Sequence, residues 1–234
     1  MFRSRQSKKL KNLPVEEREK EFEQQRLDMV RTQIERRGVR NDAVLRAMRR
    51  VPRHRFVPEA LHGEAYQDCP LPIGYEQTIS QPYIVALMTE LLQVKRGETV
   101  LEIGAGSGYQ AAILAELGCG VFTFEIVEAL AERADTTLRA LGYTNVHVLH
   151  GDGYDGLLQH APFDGIIVTA APDHIPQTLV EQLKEGRRLV LPVGELSQDL
   201  YVVEKTSSGV EKRSIIPVRF VPMTGRASTM GGFD

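Results

Sequence analysis

The chain has 234 residues, 42% of them hydrophobic and 26% charged, with a formal charge of −2. That length suits one domain of moderate size with a full core, and the near-neutral balance excludes a global pull toward nucleic acid or anionic lipid. Cys69 and Cys119 offer neither a disulfide framework nor a metal-ligand spacing, no apolar run is long enough to span a membrane, and the basic N-terminus lacks the apolar region of a secretory signal, so a cytoplasmic protein with reduced thiols is expected.

Residues 1–26 are nearly all polar, with the positive side chains crowded first, between Arg3 and Lys11. Such a segment cannot bury enough surface to offset its ordering entropy. A flexible extension grading into a solvated helix is expected there, with a nucleic-acid tail as the alternative. From Leu27 the pattern turns helical: Leu27, Val30 and Ile34, then Val44, Leu45 and Met48, recur at spacings of three and four around a break at Gly38. Asn41 suits the N-cap of the second helix. Val51-Pro52 and Val57-Pro58 end these helices, because the residue before a proline avoids the α region. Residues 62–78 read as an irregular loop, and Ser80-Gln81-Pro82 reads as the start of another helix, with Ser80 as its cap.

After Gly97 the rhythm changes. Apolar runs of strand length sit at 99–103, 121–125, 146–149, 165–168, 188–193, 200–204 and 215–221, with helical stretches at 109–117, 127–141 and 175–184 between the first five. This alternation predicts a doubly wound α/β fold: a seven-stranded, mostly parallel sheet covered on both faces. Ser207-Ser208-Gly209 predicts a hairpin, so the last strands are antiparallel. The expected organisation is an extension over 1–26, an N-terminal helical segment with its loop over 27–96, an α/β core over 97–224 and a tail over 225–234.

The most informative segment is Val100-Leu101-Glu102-Ile103-Gly104-Ala105-Gly106-Ser107-Gly108-Tyr109, followed by Glu125 at the end of Val121-Phe122-Thr123-Phe124. It reads as a strand, a glycine turn, a helix start and a second strand tipped by a carboxylate. Glycines let the backbone turn sharply and approach a ligand closely. An acid at the next strand tip can accept from two ribose hydroxyls. The spacing is G-x-G-x-G, whereas the dinucleotide fingerprint is G-x-G-x-x-G, which tilts the reading toward S-adenosylmethionine. A nucleotide oxidoreductase and a purely structural turn remain alternatives at this point.

The whole pattern resembles one family, protein-L-isoaspartate (D-aspartate) O-methyltransferase. The resemblance rests on Arg55-Phe56-Val57-Pro58, Leu71-Pro72-Ile73-Gly74, Gln77-Thr78-Ile79-Ser80-Gln81-Pro82, the glycine loop, Gly151-Asp152-Gly153 and Pro162-Phe163-Asp164. It continues through Val168-Thr169-Ala170-Ala171-Pro172, Leu191-Pro192-Val193-Gly194 and Arg219-Phe220-Val221-Pro222. It runs from Asp28 to Thr224 and implies a Rossmann-like class I methyltransferase fold with an N-terminal helical extension. The implied activity is methyl transfer from S-adenosylmethionine to the free α-carboxylate of L-isoaspartyl residues in damaged proteins. The ester then cyclises to a succinimide that partly hydrolyses to aspartate. The implied enzyme is a monomer without nucleic-acid, membrane or metal partners.

The resemblance assigns Ser80 as the active-site residue; its hydroxyl can hydrogen-bond the incoming carboxylate, while a simple helix cap is the competing reading. It implies cofactor contacts from Thr78, Ile79 and Ser80, from Gly104, Gly106 and Gly108 at the methionine end, from Glu125 at the ribose, from Asp152 and Gly153 at the adenine, and from Thr224. Glu102 is expected to orient the glycine loop. Arg219 and Val218 can hold a peptide as an added strand or serve only as a sheet edge. An isoaspartyl carboxylate is ionised at neutral pH, so no general base is needed. Two other readings compete: a methyltransferase for nucleic acid or a small molecule, supported only by the basic residues 3–11, and a non-catalytic module that keeps the cofactor fold.

Overall fold

Apolar residues at helical spacing build the N-terminal layer in the computed structural model, which describes residues 13–228. Helix α1 (Val15–Met29) continues through a π-helical turn (Val30–Ile34) and a 3-10 turn (Glu35–Arg37), and stops where Gly38 takes φ +100°. Helix α2 (Asp42–Arg50) is capped as its sequence predicts, with the Asn41 side chain accepting from the Ala43 and Val44 amides. It ends just before Val51-Pro52. Part of the segment expected to be a flexible extension is therefore ordered. Phe22, the one aromatic in α1, is buried and stacks on the His54 ring at 4.1 Å. The basic residues 3–11 lie outside the described residues.

The stretch 62–78, read as irregular, contains a hairpin. Strand β1 (Leu71–Gly74) pairs antiparallel with β2 (Gln77–Ile79), and Tyr75 and Glu76 both adopt positive φ, 53° and 59°, at its tip. Two positive φ values are what a two-residue hairpin turn with the right-handed strand twist requires. Helix α3 (Pro82–Leu92) follows with proline in its first turn, and its capping position falls to Gln81, not Ser80.

Seven strands then form one sheet in the order β5-β4-β3-β6-β7-β8-β9. These are β3 (Thr99–Ile103), β4 (Gly120–Glu125), β5 (Val146–His150), β6 (Phe163–Val168), β7 (Leu183–Val193), β8 (Gln198–Thr206) and β9 (Gly209–Val218). The first five run parallel, and β8 is antiparallel to both neighbours. Helices α4 (Tyr109–Glu116), α5 (Glu128–Ala140) and α6 (Gln177–Glu181) connect them. The last is shorter than the pattern over 175–184 suggests, because Leu183 already pairs with Phe163 at the start of β7.

Alternating side chains of β3 enter different cores. Val100 joins the layer beneath the N-terminal helices, whereas Leu101 and Ile103 join the layer with Phe163, Leu179 and Leu189. Burial on both faces accounts for the near-continuous apolar strands. The chain winds one way from β3 to β4 and β5, and the other way to β6 and β7. Such a reversal leaves a crevice beyond the carboxyl ends of the strands, where ligands of open α/β sheets bind. Among the described residues no helix is long and apolar enough to cross a membrane.

Candidate active site

The crevice is built first by the turn after β3. Gly104, Gly106 and Gly108 all take left-handed φ, at 98°, 53° and 87°, which residues with a Cβ adopt only at a cost in strain. The Gly104 and Ala105 amides both donate to the Phe124 carbonyl at 2.8 Å. Glu125, buried at the tip of β4, accepts from the Gly106 amide at 2.7 Å and from the Val127 amide at 2.9 Å. Each carboxylate oxygen keeps lone-pair capacity for a further donor.

Gly104, Gly106, Glu125, Asp152, Gly153 and Thr224 line one cavity together with Thr78, Ile79 and Ser80. Asp152 uses both oxygens, accepting from the Tyr154 amide at 3.0 Å and the Arg226 amide at 2.8 Å, which ties the strand end of β5 to the turn after Thr224. Gly153 must be glycine because a Cβ would stand 2.8 Å from Ile103 Cδ1 and 2.9 Å from Phe124 Cβ. Gly108 stands apart from the group. It does not line the cavity, and the space where its Cβ would be faces Leu138 and Ala134 of α5, so its role is to seat the start of α4.

Glu102 differs from its expected role. Its side chain is wholly buried, with the Thr123 hydroxyl of β4 as its polar neighbour, and it makes no hydrogen bond to the glycine loop. Burial, opposed by the Thr123 hydroxyl and aided slightly by the Glu125 charge, pushes its carboxyl up to about 8. It is a neutral acid at pH 7, held in the sheet. The loop is fixed instead by Glu125 and by Thr169, whose hydroxyl donates to the Gly104 carbonyl and whose amide donates to the Ile103 carbonyl at 2.9 Å. Thr169 was not singled out as a site residue. Its signal is positional, since it follows the strand on the other side of the reversal.

A second cavity of about 420 Å³ adjoins the first. Thr78, Ser80, Thr169 and Val221 line both. The Ser80 hydroxyl makes no hydrogen bond among the described residues and does not cap α3. It is therefore free to bind a group at the junction. One chamber has a glycine floor and a carboxylate suited to an adenosine-type cofactor; the other opens outward beside β9, the sheet edge, and can receive an acceptor.

The comparisons agree with that geometry. The family model for protein-L-isoaspartate(D-aspartate) O-methyltransferase matches residues 24–228. A protein-L-isoaspartate O-methyltransferase from Gloeobacter violaceus is 56% identical over 198 residues, covering 84% of this chain and 97% of that relative. Protein-L-isoaspartate O-methyltransferase 2 from Syntrophobacter fumaroxidans is 59% identical over 185 residues, 78% of this chain and 75% of the relative. Among solved structures, a protein-L-isoaspartate O-methyltransferase matches with a TM-score of 0.78 at 30% identity, over 86% of this chain and 67% of that one. A Plasmodium falciparum chain solved with S-adenosyl-L-homocysteine matches with a TM-score of 0.74 at 26% identity, over 85% of this chain and 98% of that one. With the family model spanning nearly the whole described chain and more than half of the aligned residues identical to such relatives, the chain belongs to the protein-L-isoaspartate (D-aspartate) O-methyltransferase family.

Proposed function

We propose that this site methylates the free α-carboxylate of L-isoaspartyl residues in damaged proteins, using S-adenosylmethionine, and so starts their return to aspartate through a succinimide. The observation that carries the reading is the Ser80 hydroxyl, without a partner at the junction of two adjoining cavities. The residues present fit the cofactor. Gly106 leaves the floor open, with only Ile73 Cδ1 within 4 Å of where its Cβ would be, and Glu125 sits where ribose hydroxyls would donate. Gly104, Thr78, Ile79, Asp152, Gly153 and Thr224 complete the wall.

Bound there, S-adenosylmethionine supplies a methyl group on a positively charged sulfur. The acceptor carboxylate arrives ionised, so the chain needs no base to activate it. Ser80 donates to one carboxylate oxygen and leaves the other aimed along the transfer direction. Holding two reactants in such a line is worth about 7–11 kcal/mol in favourable cases. Ile79 and Met88, apolar walls of the cofactor cavity, exclude water from the junction. We read the enzyme as a cytoplasmic monomer acting on proteins, without nucleic acid or membrane.

The test is incubation with methyl-labelled S-adenosylmethionine and paired peptides that differ only in L-isoaspartyl or L-aspartyl linkage, followed by counting base-labile methyl ester. Label on the isoaspartyl peptide alone is expected. Equal label on both, or on neither while the cofactor binds, would overturn the acceptor assignment.

A further inference from the structure

The outer cavity carries two arginines that the methyl transfer itself does not use. Arg37 and Arg219 line it from opposite ends of the chain, and no carboxylate lines it. Arg37 ends the 3-10 turn before Gly38. It is held from two sides: Nη1 donates to Asp68 Oδ2 at 2.8 Å, and the guanidinium carbon stands 3.4 Å from the Tyr83 ring centroid. A guanidinium has five N–H donors in a rigid fork. Asp68 and Tyr83 thus orient that fork while most of its donors remain available. Arg219 follows the end of the edge strand β9; it is exposed and has no ion pair or hydrogen bond among the described residues. Among the described residues no carboxylate pairs with it, so its charge stands at the mouth of a cleft, which concentrates the field there.

Neither arginine lines the inner cavity. The reacting carboxylate belongs at the junction, beside Ser80, so these two groups face whatever part of the acceptor lies further out. A cavity of about 420 Å³ is large enough for more than one residue. We propose that Arg37 and Arg219 form a cationic clamp on the acceptor, selecting isoaspartyl segments that carry a further acidic side chain next to the damaged residue. The inference rests on the acceptor assignment made above and adds the charge of the preferred neighbour. Arg37 supplies an oriented fork for a carboxylate; Arg219 supplies attraction that draws the acidic segment in and weakens with salt.

The experiment compares kcat/KM for isoaspartyl peptides that are identical except for one neighbouring residue, Glu, Gln or Lys, in the natural protein and in R37Q, R219Q, R37Q/R219Q and R219E. The readout is the Glu-to-Gln ratio within each protein, so a general loss of activity cancels. At low salt the natural protein should favour the Glu peptide by about 5- to 10-fold. Each single neutralisation should lower the ratio by about 2- to 5-fold, the scale of exposed charge pairs. The ratio should approach one in R37Q/R219Q and in high salt. R219E should turn the preference toward the Lys peptide, a gain that misfolding cannot produce. A ratio near one in the natural protein, or an unchanged ratio in R37Q/R219Q, overturns the clamp while leaving the methyl-transfer reading intact. Absence of methyl ester on every isoaspartyl peptide overturns that reading and the clamp with it.

Discussion

Glu125 ties the tip of β4 to the turn that follows β3: its carboxylate accepts from the Gly106 amide at 2.7 Å, so one side chain both shapes the glycine loop and faces the cavity that the loop floors. Replacing it with alanine removes the group expected to meet the ribose and frees the amides of Gly106 and Val127. A hydrogen bond to a charged group contributes about 1.5–3 kcal/mol. The Kd for S-adenosylhomocysteine, measured by calorimetry, should therefore rise by about 10- to 100-fold in Glu125→Ala, on the scale of such bonds. An unchanged Kd would remove Glu125 from the cofactor site.

The glycines of the loop separate in the same way. At Gly108 an added Cβ would meet Leu138 and Ala134 at 3.1 and 3.3 Å, on backbone at φ +87°. Gly108→Ala should lower stability by about 1–3 kcal/mol, mostly through strain and crowding against α5. At Gly106 the nearest atom is 3.6 Å away and belongs to the flexible end of Ile73. There the methyl stands in the cavity, and Gly106→Ala should weaken cofactor binding more than it lowers Tm. Thermal melts paired with calorimetric titrations of the two variants would show whether the losses divide this way.

Much of this arrangement was legible in the chain because its physical causes are local. Strands buried on both faces are largely apolar, which marks β3 and β6, and a loop that turns left-handed three times favours glycine there. The hairpin of β1 and β2 was missed because its positive φ values fall on Tyr75 and Glu76, where no glycine signals the turn. Phe22 is a single aromatic in a charged helix, and it is explained only by the rings of His54, His62 and Tyr66, which it meets across the fold. Thr169 lies within the Val168–Pro172 stretch that carries the family resemblance, but nothing local shows that its hydroxyl holds the glycine loop, and Arg37 sits beside Arg36 just before the break at Gly38 with nothing local to mark it. Their roles depend on which distant segments the sheet reversal brings together. Glu102 was misread for the opposite reason: adjacency in sequence to the loop does not give adjacency of its oxygens, because successive strand side chains point to opposite faces.

That buried acid should leave a signature in stability against pH. Burial raises its pKa in the folded chain to about 8, above the ordinary glutamate value of 4.5. Between those values the folded chain holds a proton that the unfolded chain releases, so stability falls as pH rises through this window. Below about 4.5 both states are protonated and the difference vanishes. Glu102→Gln keeps the shape of the neutral acid and cannot ionise. The Tm of the variant should match that of the natural protein near pH 4.5, exceed it by several degrees near pH 8, and change little relative to it above that; about 2–4 °C corresponds to each kcal/mol in a chain of this size. A constant difference between the two melting curves from pH 5 to 9 would mean that Glu102 finds a partner when ionised.

Ser80 can be tested apart from the cofactor. Its hydroxyl neither caps α3 nor bonds to another described residue, so removing it should leave the fold and its Tm within the small range of surface substitutions, about 0.5 kcal/mol. If it aligns the acceptor carboxylate, Ser80→Ala forfeits a charge-assisted hydrogen bond and some orientation, and kcat/KM for an isoaspartyl peptide should fall by about 10- to 100-fold. On the proposed site, affinity for S-adenosylhomocysteine should change far less, because that ligand is assigned to the glycine loop and Glu125. Ser80→Thr keeps the hydroxyl and should recover part of the rate, limited by the extra methyl at the narrow junction. An unchanged kcat/KM in Ser80→Ala would remove the hydroxyl from the acceptor site. A loss confined to cofactor affinity would move Ser80 from the acceptor to the cofactor wall.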